Sequence, residues 1–258
     1  MDQLSIVVAS CDKFMDTWQP FIICFRKYFP DCPYPVVLVT ENSGKGEKVR
    51  GYDKVIECGN LEWSGRLIKA LNEIESSHIF LLLDDFWMTE NINLPAFTED
   101  VHKILSNPNI GAIYLNYVKW RFLSEYDDNY LIWPKNAIYR INTRPAIWKK
   151  DFLIKTMQPE ETVWQFEREC PERSAEKKEI VLCRKWQYFA FIYAVTAGNY
   201  ERNAVRLSEK EGFELSDKRG RRTRIDDLKL LLKGKIFNIC PEFFTRLVRI
   251  LEKPKNGR

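Results

Sequence analysis

Ile79-Phe80-Leu81-Leu82-Leu83-Asp84-Asp85-Phe86 is the stretch that decides the fold, because an apolar run leads directly into two adjacent carboxylates. The apolar residues from Ile79 to Leu83 predict a strand that is buried on both faces at the centre of a sheet. Burying the charge of Asp84 and Asp85 is costly unless a cation or hydrogen-bond donors offset it. We therefore expect a functional site at the end of this strand. The alternative is that one of the two Asp residues caps the N-terminus of a following helix.

Strand and helix patterns alternate on both sides of this run. The predicted strands are 5–10, 34–40, 54–58 and 110–115, and the predicted helices are 18–28, 65–74 and 94–105. This alternation predicts a mostly parallel sheet flanked by helices, an α/β fold. In such sheets ligands bind beyond the carboxyl ends of the strands. The polar residues predicted at those ends are Ser10, Asp12, Thr40, Glu41, Glu57, Asp84 and Asp85.

The second half of the chain is less periodic and richer in aromatic residues. It predicts antiparallel strands around 138–147, a helix over 184–197, and two terminal helices over 226–232 and 242–252. We therefore expect one unit over 1–200, with a first half over about 1–115 and a second half over about 116–200. A basic helical extension over 201–258 would follow.

Composition excludes several kinds of site. The 258 residues include only 2 His, so a Ser-His-Asp triad or a His-rich metal site is hard to build. The 7 Cys are odd in number and lack zinc spacing, which indicates free thiols in a reducing compartment. The absence of a long apolar run or a basic leader predicts a cytoplasmic protein.

Charge is concentrated at the end of the chain. Residues 201–258 carry 16 Lys+Arg and 9 Asp+Glu, whereas the whole chain has a net charge of +4. The cations are Arg219, Arg221, Arg222 and Arg224, followed by Arg246 and Arg249 beside apolar residues. This pattern favours a helix on an anionic membrane surface at the inner face of the cell membrane. An ordinary basic helix pair packed on the domain stays open as the alternative.

Three blocks along the chain occur together. The first is the opening strand followed by Ser10-Cys11-Asp12. The second is Trp63-Ser64-Gly65-Arg66-Leu67, which leads through a helix to Leu83-Asp84-Asp85-Phe86. The third is 144–153, Arg-Pro-Ala-Ile-Trp-Lys-Lys-Asp-Phe-Leu, followed by Trp164-Gln165-Phe166-Glu167. Their order and spacing over residues 5–167 resemble a GT-A-type glycosyltransferase of bacterial surface-polysaccharide biosynthesis.

The resemblance implies a GT-A-like, Rossmann-type sheet in a catalytic domain over 1–200, with a nucleotide-binding half over about 1–115 and an acceptor-binding half over about 116–200. It also implies a nucleotide-sugar donor, with UDP as the commonest nucleotide. Asp85 corresponds to a ligand of Mn2+ or Mg2+, a cation that offsets the charge of a diphosphate leaving group. Glu167 corresponds to the general base of an inverting transfer, although a retaining mechanism stays open. The motif departs from the family pattern, since it reads Asp-Asp-Phe rather than Asp-x-Asp and no His follows His102.

The resemblance also implies roles in binding the two substrates. The donor would contact Ser10, Asp12, Thr40, Glu41, Arg66 and Asp84. The acceptor, a saccharide or a polyprenyl-diphosphate-linked sugar, would contact Arg144, Trp148 and Trp164. Each of these side chains also has a structural interpretation, such as a strand-end turn for Asp12 or a core position for Trp148.

Two other functions compete with this hypothesis. A nucleotidyltransferase shares a nucleotide-binding sheet and a carboxylate pair, but it needs a Gly-rich phosphate loop after the first strand. Ser10-Cys11-Asp12-Lys13 contains no Gly. A nucleic-acid binder would use the basic tail, but the rest of the chain is net acidic and contains no nucleic-acid motif. We therefore expect no nucleic-acid partner.

Overall fold

The structure is a computed structural model that describes residues 3–117, 123–137, 139–224 and 226. Within these ranges the strands are β1 (Leu4–Ala9), β2 (Val36–Thr40), β3 (Lys54–Glu57), β4 (His78–Leu83), β5 (Phe86–Met88), β6 (Ile110–Tyr114), β7 (Ser124–Glu125), β8 (Tyr130–Ile132), β9 (Ala146–Lys149), β10 (Ile180–Arg184), β11 (Phe191–Tyr193), β12 (Val195–Thr196) and β13 (Asn199–Tyr200). The α-helices are α1 (Met15–Tyr28), α2 (Trp63–Glu73), α3 (Leu94–Ser106), α4 (Lys150–Thr156), α5 (Val163–Ala175) and α6 (Arg202–Glu211).

A sheet of nine strands is the centre of the described part of the chain, in the order β3-β2-β1-β4-β9-β6-β10-β8-β7. The strands β1 to β4 are parallel, and β9 is inserted antiparallel between β4 and β6. The alternating sequence pattern therefore predicted the architecture correctly: this is an α/β fold of the GT-A type with a mostly parallel sheet. The carboxyl ends of β1, β4 and β6 lie at one edge, beside the amino end of β9.

Helices cover both faces of the sheet and create two apolar cores. Ile6 and Val8 of β1 pack into the core that contains α1 and α3. Val7 and Ala9 pack into the core that contains α2, α4 and α5. Because successive side chains of a strand point to opposite faces, a strand covered on both sides must be apolar throughout. This explains why the runs in β1 and β4 lack the alternation of a half-exposed strand.

The predicted elements of the first 115 residues agree with the structure to within about three residues, the range expected of boundaries read from sequence, whereas β5 was not predicted. The predicted helix over 184–197 is wrong. Its residues form the end of β10 and then β11 and β12, and Phe191 pairs with Met88 of β5. Aromatic residues spaced as on a helix also suit a strand, and pairing with β5 decides between the two.

The second half contains elements that the sequence prediction did not include. They are α4, α5 and α6, together with β7, β8, β13 and β10, the last of which is covered on both faces. Of the expected antiparallel strands around 138–147, the described residues form β9; residues 139–145 form turns and bends, and residue 138 lies outside the described residues. Apart from Asp226, the two predicted terminal helices also lie outside the described residues. The proposed domain boundaries at 115 and 200 stay a prediction.

Among the described residues, no helix is both long enough and apolar enough to cross a membrane.

Candidate active site

A cavity of about 1100 Å³ opens at the edge of the sheet where β1 and β4 end. Seven of the residues predicted to act in the site line it: Ser10, Arg66, Asp84, Asp85, Arg144, Trp164 and Glu167. They come from β1, α2, the turn after β4, the segment before β9, and α5. The fold therefore brings together side chains that are separated by up to 157 positions in the sequence, from Ser10 to Glu167.

Asp84 is held in a buried hydrogen-bond network at the floor of the cavity. Its Oδ2 accepts a hydrogen bond from Ser10 Oγ at 2.5 Å and lies 2.8 Å from Thr17 Oγ1, whose single proton is shared between this carboxylate and the Phe14 carbonyl at 2.6 Å. Trp18 Nε1 donates to Ser10 Oγ at 2.6 Å and so fixes that hydroxyl. Burial raises the pKa of Asp84 to about 6, against the opposing effect of the two hydroxyl donors. The side chain is 6% exposed, so its main contacts are with the protein.

Asp85 differs from its neighbour because its carboxylate has no hydrogen-bond partner from another side chain in the described ranges. Its backbone carbonyl accepts a hydrogen bond from the N–H of Ala194 at 2.7 Å, which ties the turn to β11. Burial, and then the negative charge of Asp84, raises the pKa of Asp85 to about 8. Among the described residues no cation forms an ion pair with this carboxylate, although the charge of Arg219 lowers its pKa, and a bound cation would supply such a partner.

Glu167 lies on α5 and is fixed from one side by Thr143. The backbone N–H and the Oγ1 of Thr143 donate to Glu167 Oε1 at 2.7 and 2.6 Å. Trp164 lies three residues earlier on the same helix, so the two side chains share a face. The helix begins with a capping box in which the side chain of Thr162 accepts from Gln165 N and that of Gln165 accepts from Thr162 N. This cap fixes the first turn, on which Trp164 stands.

Arg144 and Tyr193 line the cavity together with Asp85 and Glu167. Burial raises the pKa of Tyr193, and the negative charges of Asp85 and Glu167 add to the increase. The positive charge of the Arg144 guanidinium opposes this increase. The Tyr193 hydroxyl is therefore within electrostatic reach of both carboxylates. The same two residues also line a smaller neighbouring cavity of about 190 Å³.

Asp12, Thr40 and Glu41 do not line the main cavity but form a network at the ends of β1 and β2. Asp12 accepts hydrogen bonds from Thr40 Oγ1 at 2.8 Å and from Ser43 Oγ at 2.7 Å. Burial opposes ionisation of Asp12, but these hydrogen bonds outweigh it and lower the pKa. Glu41 accepts from the backbone N–H of Asp12 and forms an ion pair of 2.9 Å with Arg66. Asp12, Thr40 and Glu41, which were predicted to contact the donor, thus hold the loop beside the cavity in place. Their network reaches the cavity through the ion pair between Glu41 and Arg66.

Trp148 does not line the cavity, so the prediction that it contacts the acceptor is wrong for this structure. Its side chain is 0% exposed and packs against Tyr114 and Phe152 in the core beneath the sheet. It lies on β9, which is covered on both faces, so no acceptor reaches it in this structure. Phe166, beside Glu167, is likewise 0% exposed and packs on Trp63 at a centroid distance of 5.1 Å. Trp164 is the exposed aromatic residue of this segment.

Lys13, Tyr139, Thr143 and Tyr193 are among the residues that line the cavity and were not predicted from the sequence. Tyr193 lies within the predicted helix over 184–197, which does not form. Thr143 directly precedes the Arg144-Pro145 block, but no sequence signal links it to Glu167. Tyr139 has a φ of 57°, which is uncommon for a bulky residue and is not visible in the sequence.

Metal binding by the protein alone is not supported within the described ranges, since no group of three or more His, Cys, Asp and Glu side chains is arranged to hold an ion. Asp84 is already occupied by two hydroxyl donors. Asp85 faces the cavity without such a donor. One free carboxylate fits a Mg2+ or Mn2+ ion that takes its remaining ligands from water and a diphosphate.

Two cations of the predicted basic tail are engaged within the protein. Arg219 forms a bidentate ion pair with Asp16, with Nε–Oδ2 and Nη2–Oδ1 distances of 2.6 and 2.8 Å. Arg222 forms an ion pair with Glu201 at 3.1 Å. These contacts attach residues 219–222 to α1 and to the residue before α6. Most of the remaining tail lies outside the described residues, so membrane contact stays a prediction.

Solved structures with a similar fold include the glycosyltransferase TarS of S. aureus. It gives a TM-score of 0.51 at 14% sequence identity, over 76% of this chain and 37% of that one. TarS 1–349 in complex with UDP gives a TM-score of 0.50 at 14% identity, over 75% of this chain and 60% of that one. This chain therefore spans between about one third and three fifths of the TarS structures. At this identity the likeness establishes the fold.

A mannosyltransferase from Pyrobaculum calidifontis, in complex with GDP-Man and Mn2+, gives a TM-score of 0.41 at 14% identity, over 58% of this chain and 45% of that one. That score is too low for the likeness to bear on this chain. The sequence matches no protein-family model and no curated protein sequence.

Proposed function

We propose that this chain is an inverting glycosyltransferase that moves a sugar from a UDP-sugar donor to a saccharide acceptor. One observation carries the proposal: a single cavity at the carboxyl edge of a GT-A-type sheet contains Asp84 and Asp85 on one side and Glu167 on another. A TarS structure of similar fold was solved with UDP, which supports the choice of nucleotide.

Glu167 acts as the general base in this proposal. One of its carboxylate oxygens is occupied by Thr143, and the other has no hydrogen-bond partner within the described residues. This free oxygen takes the proton of an acceptor hydroxyl as the hydroxyl oxygen bonds to the anomeric carbon of the donor. The bond between that carbon and the diphosphate oxygen breaks, and its electron pair leaves with the nucleoside diphosphate. Attack from the face opposite the diphosphate inverts the anomeric centre.

In this proposal the carboxylate of Asp85 helps to bind the diphosphate of the nucleotide-sugar donor. A Mg2+ or Mn2+ ion on its carboxylate would supply positive charge that offsets the negative charge of the diphosphate leaving group. Lys13 and Arg66 line the same cavity and contribute positive charge. Asp84 supports this turn through Ser10 and Thr17. The finer expectations of surface-polysaccharide synthesis and of a polyprenyl-diphosphate-linked acceptor remain part of the proposal.

A donor-hydrolysis screen tests this proposal. The full chain is incubated with UDP-, GDP-, CMP- and dTDP-sugars, with and without Mn2+, and release of the nucleotide is measured. We expect hydrolysis of one UDP-sugar, and a rise in melting temperature with UDP and Mn2+. Asp85→Asn should abolish that rise because it removes the free carboxylate.

Asp128→Asn is the matched control, since Asp127-Asp128 is also an adjacent acid pair and Asp128 is exposed and does not line the cavity. Its melting shift with UDP and Mn2+ should equal that of the unmodified chain. The proposal fails if no nucleotide sugar is hydrolysed and no nucleotide changes the melting temperature. Release of pyrophosphate from a nucleoside triphosphate and a sugar phosphate would instead establish a nucleotidyltransferase.

A further inference from the structure

Exposed aromatic rings are concentrated at the cavity. Five aromatic side chains are exposed among the described residues, and three of them line the cavity: Trp164 at 75%, Tyr139 at 53% and Tyr193 at 47%. Leaving a large ring in water forfeits about 1.5–3 kcal/mol of burial energy. A cavity that keeps three such rings exposed is typical of a site that a ligand covers.

Specific contacts hold the backbone, or in Tyr193 the ring itself, at each of these three residues. Tyr139 is kept at its positive φ because Asn142 Nδ2 donates to its carbonyl at 2.9 Å and the next residue, Arg140, is buried and bonded to Ser174. Tyr193 lies on β11 and packs edge-on against Phe86 at a centroid distance of 5.2 Å. Trp164 stands on the capped first turn of α5. A backbone that is already fixed reduces the conformational entropy that is lost when a ligand packs on the ring it carries.

Polar groups lie between these rings, as sugar recognition requires. Arg144 is exposed beside Tyr193, and Glu167 shares the face of α5 that carries Trp164. A sugar ring has an apolar face of C–H groups and an edge of hydroxyls, so it is recognised by aromatic faces together with hydrogen-bonding side chains. A purely apolar ligand would offer no hydrogen-bonding group to the exposed Arg144 guanidinium or to the second carboxylate oxygen of Glu167.

The size of the cavity argues for a large acceptor. Its volume of about 1100 Å³ exceeds the range of about 300–1,000 Å³ that single small ligands occupy. A nucleotide sugar positioned at Asp85 therefore leaves room on the side of Glu167. The three rings lie on three separate segments, namely the loop before β9, the first turn of α5, and β11, which suits an acceptor of more than one sugar unit.

We propose that Tyr139, Trp164 and Tyr193 form an acceptor subsite for a saccharide chain of at least two units, whose reacting hydroxyl lies at Glu167. This inference rests on the proposed glycosyltransferase function and names the acceptor class. The chain packs its apolar faces on the rings, and Arg144 donates hydrogen bonds to its hydroxyls.

A glycan array carrying monosaccharides, disaccharides and longer chains of varied composition tests the subsite. The unmodified full-length protein should bind chains of two or more units at least about tenfold more tightly than the corresponding monosaccharides. Trp164→Ala, Tyr139→Ala and Tyr193→Ala should each weaken that binding by about tenfold. Tyr126→Ala removes an exposed ring that does not line the cavity and should leave the binding unchanged.

The other outcomes overturn the subsite. These are no saccharide binding, equal binding of monosaccharides and chains, or cavity variants that bind like the unmodified protein. Circular dichroism and melting curves confirm that each variant is folded, and Trp164→Phe, which keeps a ring, should retain part of the binding. The UDP-dependent melting shift of the unmodified protein is measured in parallel. If UDP raises the melting temperature but no saccharide binds, the subsite alone is rejected. If UDP does not change the melting temperature of the unmodified protein, the proposed function is rejected.

Discussion

Thr143 donates two hydrogen bonds to the same oxygen of Glu167, one from its backbone N–H at 2.7 Å and one from its hydroxyl at 2.6 Å. This contact connects the loop before β9 to α5 across the cavity. It fixes the carboxylate while leaving the second oxygen without a partner in the described ranges. The arrangement suits a base that must be held in position and still accept a proton.

Glu167→Gln should lower the rate of sugar transfer by about 10²- to 10⁴-fold, because the amide cannot accept the acceptor's proton. The measurement is kcat for transfer with the donor identified by the hydrolysis screen. Glu172→Gln, an exposed acid on the same helix, should transfer at the unmodified rate. A Glu167→Gln variant with a normal kcat would show that another group takes the proton.

Thr143→Val should lower kcat by a smaller factor, about tenfold, because one of the two donors to Glu167 is lost while the backbone N–H remains. The KM for the donor should stay within about twofold, since uniform substrate binding is not altered. Thr143→Ser restores the hydroxyl and should recover most of the rate. Failure of the serine variant to recover would indicate that Thr143 acts through packing.

Thr17→Val should destabilise the fold by about 1–3 kcal/mol, because it removes a hydroxyl donor from the buried carboxylate of Asp84. The loss should be larger at pH 8 than at pH 5. Burial raises the pKa of Asp84 to about 6, so at pH 8 the carboxylate is charged and depends most on its donors. Urea unfolding at both pH values measures the difference, and an equal loss at the two would argue against a role in holding charge.

Arg184→Met should destabilise the protein by about 3–5 kcal/mol, because it leaves a buried carboxylate without its cation. Arg184 Nε donates to Asp100 Oδ1 at 2.8 Å, and both side chains are 0% exposed. Lys185→Met breaks an ion pair with the exposed Glu125 and should cost only about 0–1 kcal/mol. The double variant Arg184→Met with Asp100→Leu should recover part of the loss. Similar unfolding midpoints for the two single variants would contradict this account.

His78 should titrate with a pKa of about 4. Burial disfavours its charged form, and the positive charge of Lys149 lowers the pKa further, against the opposing charge of Asp151. Because the folded-state pKa lies below the ordinary value of 6.5, His78 contributes stability above pH 6.5 that is lost as pH falls from 6.5 through 4. NMR titration measures the value directly, and since there are only 2 His, a His102→Gln variant assigns the signals. A pKa of 6.5 would show that the ring is solvated.

The sequence by itself determined most of the fold over residues 1–115. Runs such as 79–83 and 36–39 are apolar enough to identify buried parallel strands, and the alternation with helical periods defines a doubly wound sheet. The same reasoning placed polar residues at the strand ends, and the structure brings Ser10 and Asp84 into contact there. These features are local or follow from the topology of parallel sheets.

Only the tertiary structure decided which polar residues share a cavity and which support it. The backbone N–H of Asp12 donates to Glu41, so these two residues join the loops after β1 and β2. Trp148 is enclosed in the core, and Tyr193 reaches the cavity because β11 pairs with β5. The helical spacing of residues 184–197 was overridden by that pairing. Contacts between residues far apart in sequence depend on how the elements pack, and the pattern of any one segment does not contain that information.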